Sequence, residues 1–551
     1  GGSSAKTSVG GSGHGSRTFI GSEGDSQLVD FTLGGAIALT GGTNGSRNFA
    51  GIFSTKGTQT ITGAPSITLT GGASGGIDLE GNNAFITSTT LGQQTITAGS
   101  VVVTGGSGGA ENNAQIFSGA GQTISASGIT LTGGADGGGI NTGNFAEIRG
   151  NTSQSITVGS GGLAMTGGSG SLTQNFASVR QAGLAGTSQT ITVNGGGAVT
   201  LQCGSSAQSG IGSTVNGSFA FITADGDSQD LSFTAPGSAI SITGGTFGSR
   251  NTAGIQSRNG TQTIDGTTVA NSPSITLTGG ASGGVDGEGN VAVLLTASGL
   301  QSITAGAVTI EGGAGGIANG AAIQGPQQVI EVNGNLTITA VNSLSGATQG
   351  GGAGIGGRSV APIVTATDLQ LTVHGNVTLT GGGAANSGAA IGSGQAGGQT
   401  TDILMAVDGN VTLNPGTVSG SRIGSPSANV ADGDISVTAG GDISLNGGGA
   451  GTAIRTTGNV TLSAIASGKS ITQATDSVIL ANTLTTSSDA ATTLPGIANA
   501  VSTFKATTTD AATGDVALVN TGALALGLSS VAGNYSITNT GSITTSGALA
   551  L

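Results

Sequence analysis

The feature that most constrains the fold is a short element, Gln-x-(Ile/Leu/Val), which recurs about every 33 residues over more than half of the chain. Two further elements share this period. One is Asn-x-Ala-x-(Ile/Val/Leu), which precedes most glutamine copies, and the other is a strand pattern that follows the glutamine and ends in Thr-Gly-Gly. Each period therefore carries three short strand patterns. The glutamine copies begin at Gln27, Gln59, Gln94, Gln122, Gln154, Gln189, Gln229, Gln262, Gln301 and Gln328, the asparagine copies at Asn48, Asn82, Asn112, Asn144, Asn175, Asn251, Asn290 and Asn319, and the Thr-Gly-Gly copies at Thr40, Thr70, Thr104, Thr132, Thr166, Thr243 and Thr278.

Three strands in each period, every one too short to form a hairpin of its own, are what one turn of a parallel β-helix requires. Gly-Gly and Asn suit the corners between strands, because glycine permits positive φ and close backbone approach and asparagine tolerates the left-handed conformation. The sequence therefore predicts an all-β fold, a parallel β-helix or solenoid with roughly three short strands per coil and about 33 residues per coil in the N-terminal part.

Apolar and polar residues alternate within the strands, as in Ser66–Thr70, which is the period of a strand with one buried face. This parity places aliphatic side chains inside the coil, where each contributes roughly 1.5–3 kcal/mol when fully buried. In two adjacent coils it predicts Ala50, Ile52, Ile61, Ile67 and Leu69 inside and Thr60, Thr62, Thr68 and Thr70 outside.

The recurring Asn and Gln share the parity of the aliphatics, so they are expected to point inward, where an unpaired amide costs about 1–3 kcal/mol. Identical amides in successive coils lie about 4.8 Å apart and can hydrogen-bond along the stack as a ladder. The regularity of these residues favours such a ladder, and the alternative is that the amides bind a ligand.

The repeat pattern changes along the chain in three zones, which we interpret as parts of one solenoid. Residues 1–330 carry the asparagine, glutamine and Thr-Gly-Gly elements, residues 331–460 carry Gly-Asn-Val-Thr-Leu units with glycine-rich corners, and residues 461–551 are rich in alanine and threonine. Residues 16–98 also resemble residues 218–306, with Pro65–Gly76 repeated unchanged as Pro273–Gly284. A stack absorbs such a six-coil duplication without breaking a core.

Charge and cysteine content exclude several classes of function. The net charge of −13 opposes binding to nucleic acid, whose phosphates would be repelled. The single cysteine, Cys203, excludes an intrachain disulfide, and its parity predicts a small buried residue. No apolar run approaches the roughly 20 residues of a membrane helix, so no membrane insertion is expected. Gly1–Ser4 is not a signal peptide, so an export signal is expected to have been removed or omitted.

Two kinds of repeat unit carry a resemblance to a known family. The Gly-Asn-Val-Thr-Leu units at Gly375, Gly409 and Gly458 and the Gly-Asp-Ile-Ser units at Gly433 and Gly441, together with the tail Gly541–Leu549, resemble the repeat region of filamentous-haemagglutinin-like exoproteins of the two-partner secretion family. The resemblance is clearest from about residue 330 to 551. It implies a right-handed β-helix that a Gram-negative bacterium exports through an outer-membrane transporter and uses in adhesion, surface coating or biofilm matrix. The amino-terminal secretion domain of that family is not evident, so the chain would be an interior or processed product.

The sequence favours a protein that is not an enzyme. Solenoid enzymes that act on acidic polysaccharides cluster Asp, Lys or Arg on neighbouring coils, whereas the 13 Lys and Arg are scattered here, and His14 and His374 stand in glycine-flanked, exposed contexts. No cofactor is predicted. Calcium is an open alternative, because carboxylates at alternate positions beside a glycine supply hard oxygen ligands. The candidate ligands are Glu23, Asp25, Asp225, Asp227 and Asp230, and the competing interpretation is a solvated corner.

Neither end of the chain shows a polar, charged capping segment, and an uncapped solenoid end is expected to associate. We therefore expect a secreted structural protein that forms an extracellular fibre, sheath or coat by head-to-tail stacking of β-helices. A monomeric surface adhesin is the first alternative, with cell-surface or carbohydrate contacts through outward residues such as Phe49, Phe145 and Phe176. An ice-binding solenoid is the lesser alternative, based on outward Thr-x-Thr pairs such as Thr95 and Thr97.

Overall fold

In the computed structural model, the chain divides into two compact units, Gly1–Gly299 (unit 1) and Leu300–Leu551 (unit 2). Each unit is a parallel β-helix, as the sequence predicts. The three zones of the sequence, residues 1–330, 331–460 and 461–551, are defined by their repeat motifs and do not coincide with these two units. The structure describes residues 15–75, 81–89, 92–137, 143–170, 174–206, 217–284, 289–343, 352–356, 367–385, 387–392, 401–425 and 433–550. His14 lies outside these residues.

Unit 1 consists of three parallel sheets, named A, B and C, to which each coil contributes one strand in that order. Sheet A contains the asparagine element, sheet B the glutamine element and sheet C the strands that end in Thr-Gly-Gly. The strands of sheet A are Arg17–Ser22, Phe49–Ser54, Ala84–Ser88, Ala114–Ser118, Ala146–Gly150, Ala177–Gln181, Ala220–Ala224, Ala253–Ser257 and Ala292–Thr296. Those of sheet B are Ser26–Asp30, Thr58–Thr62, Gln94–Thr97, Gln122–Thr132, Gln154–Thr166, Ser188–Val193, Ser228–Phe233 and Thr261–Gly266.

Sheet C is formed by Ala36–Thr40, Ser66–Thr70, Ser100–Thr104, Ala198–Gln202, Ala239–Thr243 and Ser274–Thr278, together with the second halves of Gln122–Thr132 and Gln154–Thr166, which run without a break from sheet B. A small fourth sheet lies beyond the Thr-Gly-Gly corners, and one 3₁₀ turn, Val269–Asn271, follows sheet B. The strands of the fourth sheet are Ser107–Gly109, Ala135–Gly137, Ser169–Gly170 and Ser205–Ser206.

Columns of aliphatic side chains, one residue from each coil, form the core of unit 1. In sheet A, Ile52 lies opposite Ile86 in the next coil, and Ile86 lies opposite Ile116. These three residues are 0–2% exposed. The inward residues predicted from parity, Ala50, Ile52, Ile61, Ile67 and Leu69, are all buried, and Cys203 is buried as well. The parallel register therefore carries the same inward residue types from coil to coil, and their burial is the main stabilising contribution.

The Thr-Gly-Gly corner of each coil is joined to the asparagine corner by close backbone contact. The amide of Gly72 donates to the carbonyl of Asn82 at 2.7 Å, and that of Gly106 donates to the carbonyl of Asn112 at 2.6 Å. At Gly71 a Cβ atom would lie 2.0 Å from the carbonyl oxygen of Asn112. The first glycine of this motif is thus required by close backbone approach rather than by positive φ.

Unit 2 repeats a three-strand coil in sheets named D, E and F. Sheet D contains Ala321–Gln324, Ala353–Gly356, Ala389–Ile391, Ser421–Gly424 and Ala453–Arg455, and sheet E contains Leu300–Ala305, Gln327–Val332, Thr367–Val373, Thr401–Val407, Ile435–Ala439 and Asn459–Ala464. Val478–Ser488 pairs with the last strands of both sheets. Sheet F contains Val308–Glu311, Leu336–Thr339, Val377–Thr380, Val411–Asn414, Ile443–Leu445, Ile471–Gln473, Thr492–Leu494, Val516–Asn520 and Tyr535–Asn539. The remaining strands are Ala500–Thr508, Leu524–Leu526, Ser529–Ser530, Ile543–Thr545 and Leu549–Ala550.

The core of unit 2 is built in the same way, from columns of inward aliphatic side chains. Val377, Val411 and Ile443 lie opposite one another in successive strands of sheet F and are 0% exposed. The coils shorten toward residue 550, where Leu524 pairs with Ile543 after only 19 residues. Alanine and threonine replace glycine in this part of the sequence, as a tighter coil with fewer loop residues requires.

Candidate functional site

The inward glutamines of unit 1 form a continuous ladder of side-chain hydrogen bonds. Each Nε2 donates to Oε1 of the glutamine in the preceding coil at 2.7–2.8 Å, from Gln59 to Gln262. All are 8% exposed or less. The ladder predicted from sequence is confirmed for these residues, and its amides are used within the stack rather than directed to a ligand.

The asparagines form a second ladder with the opposite direction of donation. The backbone amide of Asn48 donates to Oδ1 of Asn82 at 3.0 Å, and the amide of Asn82 donates to Oδ1 of Asn112 at 2.8 Å. The donor thus belongs to the earlier coil here, whereas in the glutamine ladder it belongs to the later one. Each asparagine side chain also satisfies backbone groups that a corner would otherwise leave unpaired.

The acidic candidates of the sequence are distributed over two distant coils. Asp225 follows the seventh strand of sheet A, whereas Glu23 and Asp25 follow the first and are exposed. Asp225 is 6% exposed and pairs with Arg180 at 2.5 Å and Arg258 at 3.3 Å. Its carboxylate therefore already has two cationic partners.

The other two acidic candidates of that region have separate contacts. Asp227 accepts the amide of Gly186 at 2.7 Å, and Asp230 lies on sheet B beside Ser228 at 3.2 Å. Within the residues that the structure describes, no group of three or more His, Cys, Asp or Glu side chains is arranged to hold a metal ion. The arginine pairing of Asp225 is a role that its sequence context did not reveal, because Arg180 is 45 residues away in the chain.

Aromatic side chains cover the outer face of sheet A. A Cβ atom on Gly51 would lie 2.4 Å from the ring of Phe85, and one on Gly21 would lie 2.8 Å from the ring of Phe53. The rings thus lie over strand glycines of the preceding coil, which shields backbone that glycine leaves bare. Farther along the sheet, Phe145, Phe176 and Phe219 stack face to face with centroid separations of 4.7 and 4.5 Å. The outward orientation predicted for Phe49, Phe145 and Phe176 is confirmed, and all three are half-buried.

Hydroxyl side chains on the outer face of sheet B line up in two rows. One row contains Thr60, Thr95, Thr123, Ser155 and Thr190, and the other contains Thr97, Ser125, Thr157, Thr192 and Ser232. The first row is unbroken over five coils and ends where Asp230 follows Thr190. The sequence already shows that aspartate replaces a hydroxyl residue at Asp230 and at Asp265, but only the register of the coils shows how far the rows extend.

A groove of about 650 Å³ runs along the Thr-Gly-Gly corners of unit 1, between sheet C and the small fourth sheet. Its lining consists of backbone and small side chains, for example Thr70, Gly71, Ala135 and Ser169. The lining contains no charged side chain, and the thiol in it, that of Cys203, is only 4% exposed.

In unit 2 the ring of His374 lies between two carboxylates. Its Nδ1 is 2.8 Å from Oδ2 of Asp408, and its Nε2 is 3.3 Å from Oε1 of Glu331. Hydrogen bonds to Asp408 and Glu331 raise the pKa of His374 above its ordinary value. His374 is exposed, as the sequence predicts, but the sequence analysis did not predict its contacts with Asp408 and Glu331. Alignment of His374-Gly375-Asn376 with Asp408-Gly409-Asn410 would have placed the ring beside Asp408.

Two coil edges expose side chains of the type that other coils bury. In unit 1, Ile20 is 57% exposed although Ile52, opposite it in the next coil, is 2% exposed. In unit 2, Ile543 is 47% exposed although its partner Leu524 in the preceding coil is 1% exposed. Each of these two strands therefore exposes an aliphatic side chain that the register places in a core column.

Comparison with known proteins gives no relative from which function could be transferred: no family model, curated protein or solved structure matches the chain. Among the described residues, no helix is long and apolar enough to cross a membrane. The residues and their geometry are thus the basis for any statement about function.

Proposed function

We propose that this protein is a secreted structural protein that assembles into an extracellular fibre, sheath or coat by stacking its coils onto those of another copy. The observation that carries this proposal is the pair of exposed coil edges, at Ile20 in unit 1 and at Ile543 in unit 2. Among the described residues, the first edge strand pairs with the coil that follows it, and the second pairs with the coil that precedes it. A parallel contact between the two edges is heterologous, because each copy would contribute a different edge to each contact.

The chemistry of the edges supports the same assembly. Burial of isoleucine on both sides of the contact contributes roughly 1.5–3 kcal/mol for each residue. Strand pairing between copies would also add backbone hydrogen bonds along the edge strands. Export through an outer-membrane transporter of a Gram-negative bacterium is part of this proposal, and it depends on the resemblance of the Gly-Asn-Val-Thr-Leu units to secreted haemagglutinin-like repeats.

Complementary edge variants test the assembly. Ile20→Asp and Ile543→Asp each place a charge in one edge, so neither protein alone can form the contact. An equimolar mixture retains one intact edge of each kind, so we expect it to form dimers and no filaments in electron microscopy and analytical ultracentrifugation. The unaltered protein should form filaments, and so should Thr412→Asp, which carries the same charge on the outer face of sheet F. Single particles of the unaltered protein at every concentration would refute the assembly and favour the monomeric adhesin.

Ice binding is a second candidate, favoured by the hydroxyl rows of sheet B. The strand spacing of about 4.8 Å sets the repeat along each row, and alternate residues of a strand, about 6.6 Å apart, set the distance between rows. Such a regular array can order water. Thermal hysteresis should be measurable and should fall on Thr123→Lys but not on Thr200→Lys, which alters the outer face of sheet C. Absence of hysteresis in the unaltered protein would exclude this candidate.

A further inference from the structure

Three successive coils of unit 2 contribute one ionisable side chain each to a surface cluster. Glu331 lies in the strand Gln327–Val332, His374 follows Thr367–Val373, and Asp408 follows Thr401–Val407. These strands are neighbours in sheet E, and their backbones are joined directly: the amide of His374 donates to Val332 at 2.8 Å, and that of Asp408 donates to Val373 at 2.9 Å.

The protonation state of the ring follows from its two partners. An ionised carboxylate only accepts hydrogen bonds, and a neutral imidazole has one N–H donor and one acceptor. Since Nδ1 faces Asp408 and Nε2 faces Glu331, only the imidazolium form can donate to both. Loss of the proton turns one of the two contacts into a lone-pair repulsion and leaves two like charges, Glu331 and Asp408, on the coils on either side of the ring.

We propose that His374, Glu331 and Asp408 form a proton-operated clamp that ties three coils of unit 2 together in acidic surroundings and releases them at higher pH. This regulatory device is independent of end-to-end assembly. Glu331 and Asp408 are the charged groups that act on the ring from the neighbouring strands. Asp368 and Asp402 belong to the same strands but lie at their opposite ends.

The direction of the effect follows from linkage. The pKa of His374 is raised in the folded protein, so its stabilising contribution is complete below the unfolded value of about 6.5 and is lost as the pH rises through the folded value. The side chain of His374 is 41% exposed, so solvent screens the contacts and the effect on coil opening is modest.

A histidine titration by NMR on the whole chain tests the clamp, since His14 is the only other histidine and His14→Gln assigns the signals. We expect a His374 pKa above 6.5 that falls in both Glu331→Gln and Asp408→Asn. Asp402→Asn, which removes the same charge from the same strand without contact to the ring, should leave it unchanged. A His374 pKa at or below 6.5, or an equal response to Asp402→Asn, would overturn the clamp.

Hydrogen exchange supplies a readout of coil opening. In the strands Gln327–Val332, Thr367–Val373 and Thr401–Val407, amides of the unaltered protein should exchange about two- to fivefold more slowly than those of His374→Gln at pH 5.5. The ratio of the exchange rates of the two proteins should approach one when the pH exceeds the pKa of His374 in the folded protein. A ratio that does not change with pH would show that the ring supports the coils only by packing, and it would refute the clamp.

Discussion

Gln94 donates its side-chain amide to Oε1 of Gln59 at 2.8 Å, in the interior of unit 1. It also accepts the amide of Gln122 from the following coil at 2.8 Å. Each glutamine is thus both donor and acceptor, and the same residue type is needed at this position in every coil. A buried amide without a partner would destabilise the fold, but in the ladder it fixes the register of the coils, because a shifted strand would leave amides unpaired.

Replacement of Gln94 by leucine should therefore cost more stability than replacement of Gln27. Gln94→Leu leaves Oε1 of Gln59 and Nε2 of Gln122 without their ladder partners in a buried site, at a cost of about 2–4 kcal/mol. Gln27→Leu affects only Gln59, whose Nε2 keeps contacts to the carbonyls of Ile52 and Thr87. The unfolding midpoint in guanidinium chloride, followed by circular dichroism, checks this order. Equal midpoints for the two variants would contradict the role of the ladder.

The contact between Gly51 and Phe85 predicts that the effect of Gly51→Ala on stability changes sign when Phe85 is replaced. Gly51→Ala alone should be destabilising, because the new methyl would collide with the Phe85 ring 2.4 Å away. Phe85→Ala alone should cost roughly 1–2 kcal/mol, less than for a fully buried ring. With Phe85 already replaced, Gly51→Ala should stabilise by about 0.5–1 kcal/mol, since alanine is favoured over glycine inside a strand.

The double-mutant cycle of these two positions is measured by chemical denaturation of the four proteins. Its coupling free energy should be clearly different from zero. Additive effects would mean that the ring does not cover the glycine.

Much of the fold can be predicted from local sequence, because each coil repeats the same pattern of inward and outward residues. Parity alone predicts that Ile61 and Leu69 are buried and that Gln59 points inward, and the structure agrees. The parallel order of strands follows from the period, since a chain that returns to the same strand pattern after one coil must place it beside the previous copy. The six-coil duplication is consistent with this, because it adds whole coils.

Side-chain partners across coils were harder to predict, because coil length varies. Asp225 meets Arg180 and Arg258 over separations of 45 and 33 residues, and no constant offset in sequence identifies both. The covering of Gly51 by Phe85 requires the register between two strands. Burial of Glu147 depends on register in the same way: parity places this residue on the outer face of sheet A, but neighbouring side chains leave it 6% exposed.

Calcium should leave the melting temperature unchanged at millimolar concentration. The carboxylate of Asp225 already binds Arg180 and Arg258, so a calcium ion would have to displace these partners. Asp225→Asn should instead destabilise by about 1–2 kcal/mol, because it removes the shared anion of two guanidinium groups that are 34% and 47% exposed and are therefore screened by solvent. Differential scanning calorimetry with and without calcium measures both effects. A rise in melting temperature on addition of calcium, absent in Asp225→Asn, would support the calcium site considered from the sequence.

Glu147 provides a prediction for pH dependence. Burial raises the pKa of Glu147, against the attraction of Arg149 and Arg180 and a hydrogen bond from Gln115 at 2.6 Å. Because the folded pKa is raised, the contribution of Glu147 to stability is complete below the unfolded value of 4.5 and is lost as the pH rises through the folded value. Glu147→Gln keeps an acceptor for Gln115 and removes the charge. The variant should therefore match the unaltered protein near pH 4 and become the more stable of the two as the pH rises.

Unfolding midpoints measured from pH 4 to pH 8 would show this divergence. Glu23→Gln, which removes the same charge from an exposed corner of unit 1, should give a curve parallel to that of the unaltered protein. If Glu147→Gln were less stable than the unaltered protein at pH 8, attraction to Arg149 and Arg180 would have to exceed the cost of burying the carboxylate. Sheet A would then hold Glu147 as an ion-paired anion, and the direction assigned to its pKa would be wrong.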